Sequence, residues 1–127
     1  MAFTHGRSRR STSGAYIRKN LKGSRHFASG RNPTFTKFGP RKIKQDRQKG
    51  GGTKTRLLMA DIVNVSDAKT KKTFKVKITG ILENPASSNL VRRNILTKGT
   101  VVQTEKGKAR ITSRPGQEGT VSGVLLS

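Results

Sequence analysis

Thr73-Phe74-Lys75-Val76-Lys77-Ile78-Thr79 alternates apolar and polar side chains, with Phe74, Val76 and Ile78 on one side and Lys75 and Lys77 on the other. Successive side chains of a β-strand point to opposite faces, so this period of two marks a strand with one face in a core and one in water. Ile81-Leu82 prolong the run past Gly80, where a bulge or bend is expected. Working outward, short apolar-rich runs recur at residues 57–65, 90–97, 100–105, 108–113 and 120–126. Turn chemistry separates them: Ser66-Asp67-Ala68-Lys69, Asn84-Pro85, Lys98-Gly99, Lys106-Gly107 and Arg114-Pro115-Gly116-Gln117. Six short strands with turns every ~8–12 residues describe an all-β sandwich or barrel. In so short a chain a closed six-stranded barrel over residues 54–127 is expected, because closure removes exposed edges.

Upstream the chain changes character. Residues 1–56 carry sixteen Lys/Arg against one acid, Asp46, a net +15 of the whole chain's +22. Apolar residues make up about 21% of that stretch and about 37% of residues 57–127, so only the later part can form a core. Gly6, Gly14, Gly23, Gly30 and Gly39 interrupt the basic stretch, Pro33 and Pro40 block helix continuation, and no period is visible. Lys49-Gly50-Gly51-Gly52-Thr53 reads as a flexible joint. The expected organisation is therefore a long basic irregular extension over 1–53, without fixed structure when free, and a β-barrel domain over 54–127.

Several classes of chemistry find no support. Cysteine is absent, which removes disulfides, thiolate zinc sites and cysteine nucleophiles and fits a reducing compartment. No apolar run approaches the ~20 residues that span a bilayer, so no membrane partner is expected. Gly50-Gly51-Gly52-Thr53-Lys54-Thr55 resembles a phosphate-cradling loop only superficially, because Thr53 stands where glycine must precede the lysine and no apolar strand leads into it. His5 and His26 have no carboxylate at ligand spacing, and Asp61, Asp67, Glu83, Glu105 and Glu118 are scattered singly. Serines are not set in a nucleophile elbow. The expectation is no enzyme, no metal, no cofactor and no small-molecule substrate.

A stretch so charged needs a polyanion to neutralise it. Arg7, Arg9, Arg10, Arg18, Lys19, Lys22 and Arg25 alternate with small residues that let the backbone approach a ribose-phosphate wall. Arg31, Lys37, Arg41, Lys42, Lys44, Arg47, Lys49, Lys54 and Arg56 continue the series. Tyr16, Phe27, Phe35 and Phe38 stand among these cations, where rings can stack on unpaired bases while the cations hold phosphates. Arg92-Arg93 would point to opposite faces of a regular strand, and an irregular turn would expose both. Arg114 precedes Pro115-Gly116 at a turn tip, a position suited to phosphate. Lys75 and Lys77 read equally well as solvated residues. Two rival readings of the same charge are a DNA-compacting protein and a factor that binds RNA only transiently.

Gly30-Arg31, Thr36-Lys37-Phe38-Gly39-Pro40-Arg41-Lys42-Ile43, Lys49-Gly50-Gly51 and Lys54-Thr55-Arg56, leading into Asp61-Ile62-Val63-Asn64-Val65, occur in that order. Leu90-Val91-Arg92-Arg93-Asn94-Ile95-Leu96-Thr97-Lys98-Gly99 and Thr112-Ser113-Arg114-Pro115-Gly116-Gln117-Glu118-Gly119 follow. Together these resemble the e-type small-subunit ribosomal protein eight family of archaea and eukaryotes, in its archaeal branch. The resemblance implies a small barrel with a basic N-terminal extension, bound to small-subunit ribosomal RNA among neighbouring ribosomal proteins. It also implies a cytoplasmic ribosomal location and no catalysis. Gly52 stands where the family usually has Asn, and Met59 where it often has Arg.

Overall fold

The structure, a computed structural model, describes residues 3–4, 10–18 and 29–126. The chain forms two compact units, Met1–Pro33 and Thr34–Ser127. In the first, β1 (Phe3–Thr4) and β2 (Ser29–Gly30) pair antiparallel. A tight turn follows Arg10: the Ser11 N–H donates to Ala15 O at 2.9 Å, and Arg10 and Tyr16 form an isolated bridge.

The second unit holds β3 (Thr36–Phe38), β4 (Lys42–Arg47), β5 (Thr53–Ala60), β6 (Ile62–Ser66) and β7 (Thr73–Glu83). It continues through α1 (Ser88–Arg92), β8 (Ile95–Leu96), β9 (Val101–Thr104), β10 (Gly107–Ile111), α2 (Pro115–Glu118) and β11 (Ser122–Leu125). Strands β10-β11-β6-β7-β9 close into a barrel, and β4-β5-β3-β8 form a four-stranded sheet. The barrel is sealed by a parallel pairing of β11 with β6, which sets Ser122 beside Asn64 and Gly123 beside Val65.

The period of two in β7 builds the barrel wall: Val76 and Ile78 are buried while Lys75 and Lys77 are exposed. They meet Val63 and Val65 of β6, Val102 of β9, Ala109 and Ile111 of β10, and Val121. Each such side chain removed from water contributes roughly 1.5–3 kcal/mol before the entropy of ordering is counted. Leu57 and Ala60 of β5 and Leu96 of β8 join the same cluster, so the second sheet is tied to the barrel through one core. The ladder between β7 and β9 slips around Gly80, at the bulge its sequence implies.

The all-β class and closed barrel hold, but the barrel has five strands rather than six. The run 57–65 is two strands: β5 ends at Ala60, the chain bends at Asp61, and β6 starts in the other sheet. A continuous apolar run carries no mark of where a chain changes sheets. The run 90–97 is α1 followed by β8, because the Ser87 side chain accepts a bond from the Asn89 N–H at 3.3 Å and starts a helical turn. Asn94, at φ 52°, then ends that turn. Residues 36–47, which composition groups with the extension, contain β3 and β4.

Candidate nucleic-acid interface

β4 and β5 form a hairpin in which Lys44 lies opposite Arg56 and Asp46 opposite Lys54. Strand alternation puts these four on one face. The acid is turned into the protein: the Arg56 Nε donates to Asp46 Oδ2 at 2.9 Å, with side-chain exposures of 19% and 12%. The Arg56 Nη1 also donates to Gly116 O of α2 at 3.1 Å, and Lys54 Nζ donates to Gln117 Oε1 at 3.3 Å. Arg56, expected among the phosphate ligands, thus clamps the hairpin to α2.

The clamp needs α2 to lie close against its neighbours. A Cβ on Gly116 would sit 2.6 Å from Thr34 O, and one on Gly119 2.7 Å from Thr55 Cγ2. Gly119 also has φ 73°, the left-handed conformation that ends α2. Pro115 opens the helix, and the Arg114 N–H donates to Glu118 Oε1 at 3.2 Å while the Arg114 side chain stays exposed.

With Asp46 engaged by Arg56, Lys42, Lys44, Arg47 and Lys49 face solvent along the hairpin, and Lys37 and Arg41 are exposed just before it. The tip turns through Lys49–Gly51, closed by a 2.6 Å bond from the Gln48 N–H to Gly52 O. The end of α1 exposes both Arg92 and Arg93, the irregular turn that a regular strand would have denied them. The Arg93 guanidinium lies 5.8 Å from the centroid of the Phe35 ring, which is 41% exposed. This cation–π pair offers a flat, charged platform of the kind unpaired bases stack on.

Phe38, another ring expected to stack on bases, is half-buried and packs against the barrel core. In the first unit Arg10, Tyr16, Arg18 and Arg31 are exposed, Tyr16 at 66%. Arg7, Arg9, Lys19, Lys22, Arg25 and Phe27 lie outside the described residues.

Two side-chain arrangements lie at turns already marked in the sequence but were not themselves read there. Lys106 Nζ sits 3.2 Å from the Phe74 ring centroid. Asp67 accepts from the Lys69 N–H at 2.9 Å and the Thr70 hydroxyl at 2.8 Å, and these bonds, the backbone one first, hold its carboxyl below the ordinary range. An Asp two residues before a turn N–H is the signal that could have located it. Among the described residues no three His, Asp or Glu side chains gather, and no helix is long and apolar enough to cross a membrane.

A small barrel joined to a hairpin whose cations are exposed and whose one acid is ion-paired to Arg56 defines a small basic β-barrel protein. Residues 4–126 match the family model described as ribosomal protein S8e. A small ribosomal subunit protein eS8 of Methanocella arvoryzae is 51% identical over 122 residues, covering 96% of this chain and 97% of that protein. The proteins of the same name from Methanosphaera stadtmanae and Nanoarchaeum equitans are 48% and 47% identical, each covering 99% of both chains. The chain belongs to the ribosomal protein S8e family, and its role is structural, not enzymatic.

Proposed function

We propose that this chain is a constituent of the small ribosomal subunit in the cytoplasm, where it binds and bridges segments of ribosomal RNA. The names of its relatives and their full-length coverage support the subunit. The observation that carries the RNA contact is the β4–β5 hairpin, whose exposed cations stand beside an acid already neutralised by Arg56. Phosphates meeting Lys42, Lys44, Arg47 and Lys49 release their counterions, and Arg92, Arg93 and Arg114 add forked donors to further phosphates. The stretch before Thr34 takes form against RNA, lying between RNA helices and lowering the repulsion that opposes their approach. Neighbouring ribosomal proteins border it there.

The test is RNA binding by the full chain across a salt series. With about ten phosphates engaged on duplex RNA, log K falls against log salt with a slope near −9. Folded small-subunit RNA with loops is expected to outcompete B-DNA of equal length at moderate salt, because unpaired bases and 2′-hydroxyls give added contacts. Equal binding to both would contradict the RNA reading and favour the DNA-compacting one.

A further inference from the structure

A groove of about 230 Å³ opens where the barrel wall meets the four-stranded sheet. Its floor is apolar, formed by Leu57, Ala60 and Val121, each buried to 3% exposure or less. Its rim is polar: Arg41 and Lys75 bring positive charge, and Asp61 and Asn64 bring half-buried acceptors and donors. Neither the Asp61 nor the Asn64 side chain bonds to another described residue. Solvent-reached polar groups beside an apolar floor are what a ligand with a flat apolar face and a polar edge would engage. The volume lies below the ~300–1,000 Å³ of drug-sized sites, which suits one heterocycle rather than a larger molecule.

We infer that this groove receives a single unpaired guanine of the bound RNA. The inference rests on the RNA-binding reading above and adds a base preference to it. Of the four bases, only guanine presents two adjacent N–H donors, N1–H and N2–H, on its Watson–Crick edge. A carboxylate accepts both at once, so Asp61 selects guanine, while the Asn64 amide donates to its O6. Arg41 and Lys75 hold the phosphates on either side. Adenine and cytosine would set a ring acceptor against the Asp61 carboxylate, and uracil offers it one N–H between two carbonyls.

The test uses the full chain and nine-nucleotide RNAs, all uridine except for a central G, A or C. Equal length and charge cancel the phosphate contribution, leaving the base. The G oligonucleotide is expected to bind about tenfold tighter than the A or C versions, as a bidentate base contact implies. Asp61→Asn removes one acceptor and should weaken binding of the G oligonucleotide by about fivefold or more, shrinking that preference below about twofold while the A and C versions bind as before. A variant-free readout guards against misfolding: 6-thioguanosine at the centre should photocrosslink to residues lining the groove. Equal affinity for G, A and C, a preference that survives Asp61→Asn, or crosslinks confined to other regions overturns the guanine site. Equal, salt-sensitive binding to all three would sink only this site. Binding to none would sink the RNA reading with it.

Discussion

The barrel strands and β4, the edge strand of the four-stranded sheet, reach order by different routes. In the barrel, β6, β7, β9 and β10 each send at least one side chain into the core, and burial does the holding. In the sheet, β4 buries nothing: five of its six residues are exposed and the sixth, Asp46, is half-buried. Backbone pairing to β5 and the Asp46–Arg56 clamp keep it in place. A strand held by its backbone and one carboxylate, Asp46, which Lys44 Nζ also approaches to 3.7 Å, keeps its remaining side chains exposed. Under the proposed RNA-binding function, cations carried on so rigid a frame would meet phosphates at little ordering cost on the protein side.

This contrast can be broken most directly in the barrel. Ile111→Ala should lower unfolding free energy by about 3 kcal/mol, read from the denaturant midpoint, because it leaves a cavity among fully buried neighbours. A loss no greater than that of a hairpin substitution would remove the distinction. Gly119→Ala comes next, at about 1–3 kcal/mol, since a side chain there is strained at φ 73° and meets Thr55.

The clamp sharpens the comparison from the other side. Asp46→Ala should cost about 1–2 kcal/mol, below the value for a fully buried pair because both partners retain some solvent. A double-mutant cycle with Arg56→Ala should recover most of that loss as coupling. By contrast, Lys44→Ser, Arg47→Ser and Lys49→Ser should each change stability by less than about 0.5 kcal/mol. Combined, they should flatten the salt slope of RNA binding by about 2–3.

The smallest effect belongs to Asp67. Its folded pKa lies below the ordinary aspartate value, so its contribution is fully present above that ordinary value. It is lost as the pH falls through the lower folded value. A carbon-detected titration should show this carboxyl protonating below the ordinary aspartate range, and Thr70→Val should raise its midpoint.

Much of the barrel was legible because burial writes itself into sequence as alternation. β7 shows it clearly, and Lys98-Gly99 and Lys106-Gly107 mark the ends of β9 in plain turn chemistry. What escaped reading depends on partners that the local sequence does not contain. β4 has no apolar face to betray it, since its order comes from β5. The bend at Asp61 is set by two sheets competing for one apolar run, and the α1 turn hides behind β-favouring Leu90, Val91, Ile95 and Leu96. Arg56 looks like any other cation in a basic stretch, and only its register opposite Lys44 brings it to Asp46. The groove likewise joins Arg41, Asp61, Lys75 and Val121 from distant parts of the chain.

The parallel seam between β11 and β6 has a consequence for the order of events in the cell. A nascent chain emerges from its N-terminal side, so the cationic strands appear well before Ser122–Leu125 can lock against Asn64–Ser66. Until that keystone arrives the barrel is an open sheet with an unpaired β6 edge, a sticky intermediate of the kind that aggregates. Closing the β11–β6 seam is therefore the final pairing available to the barrel.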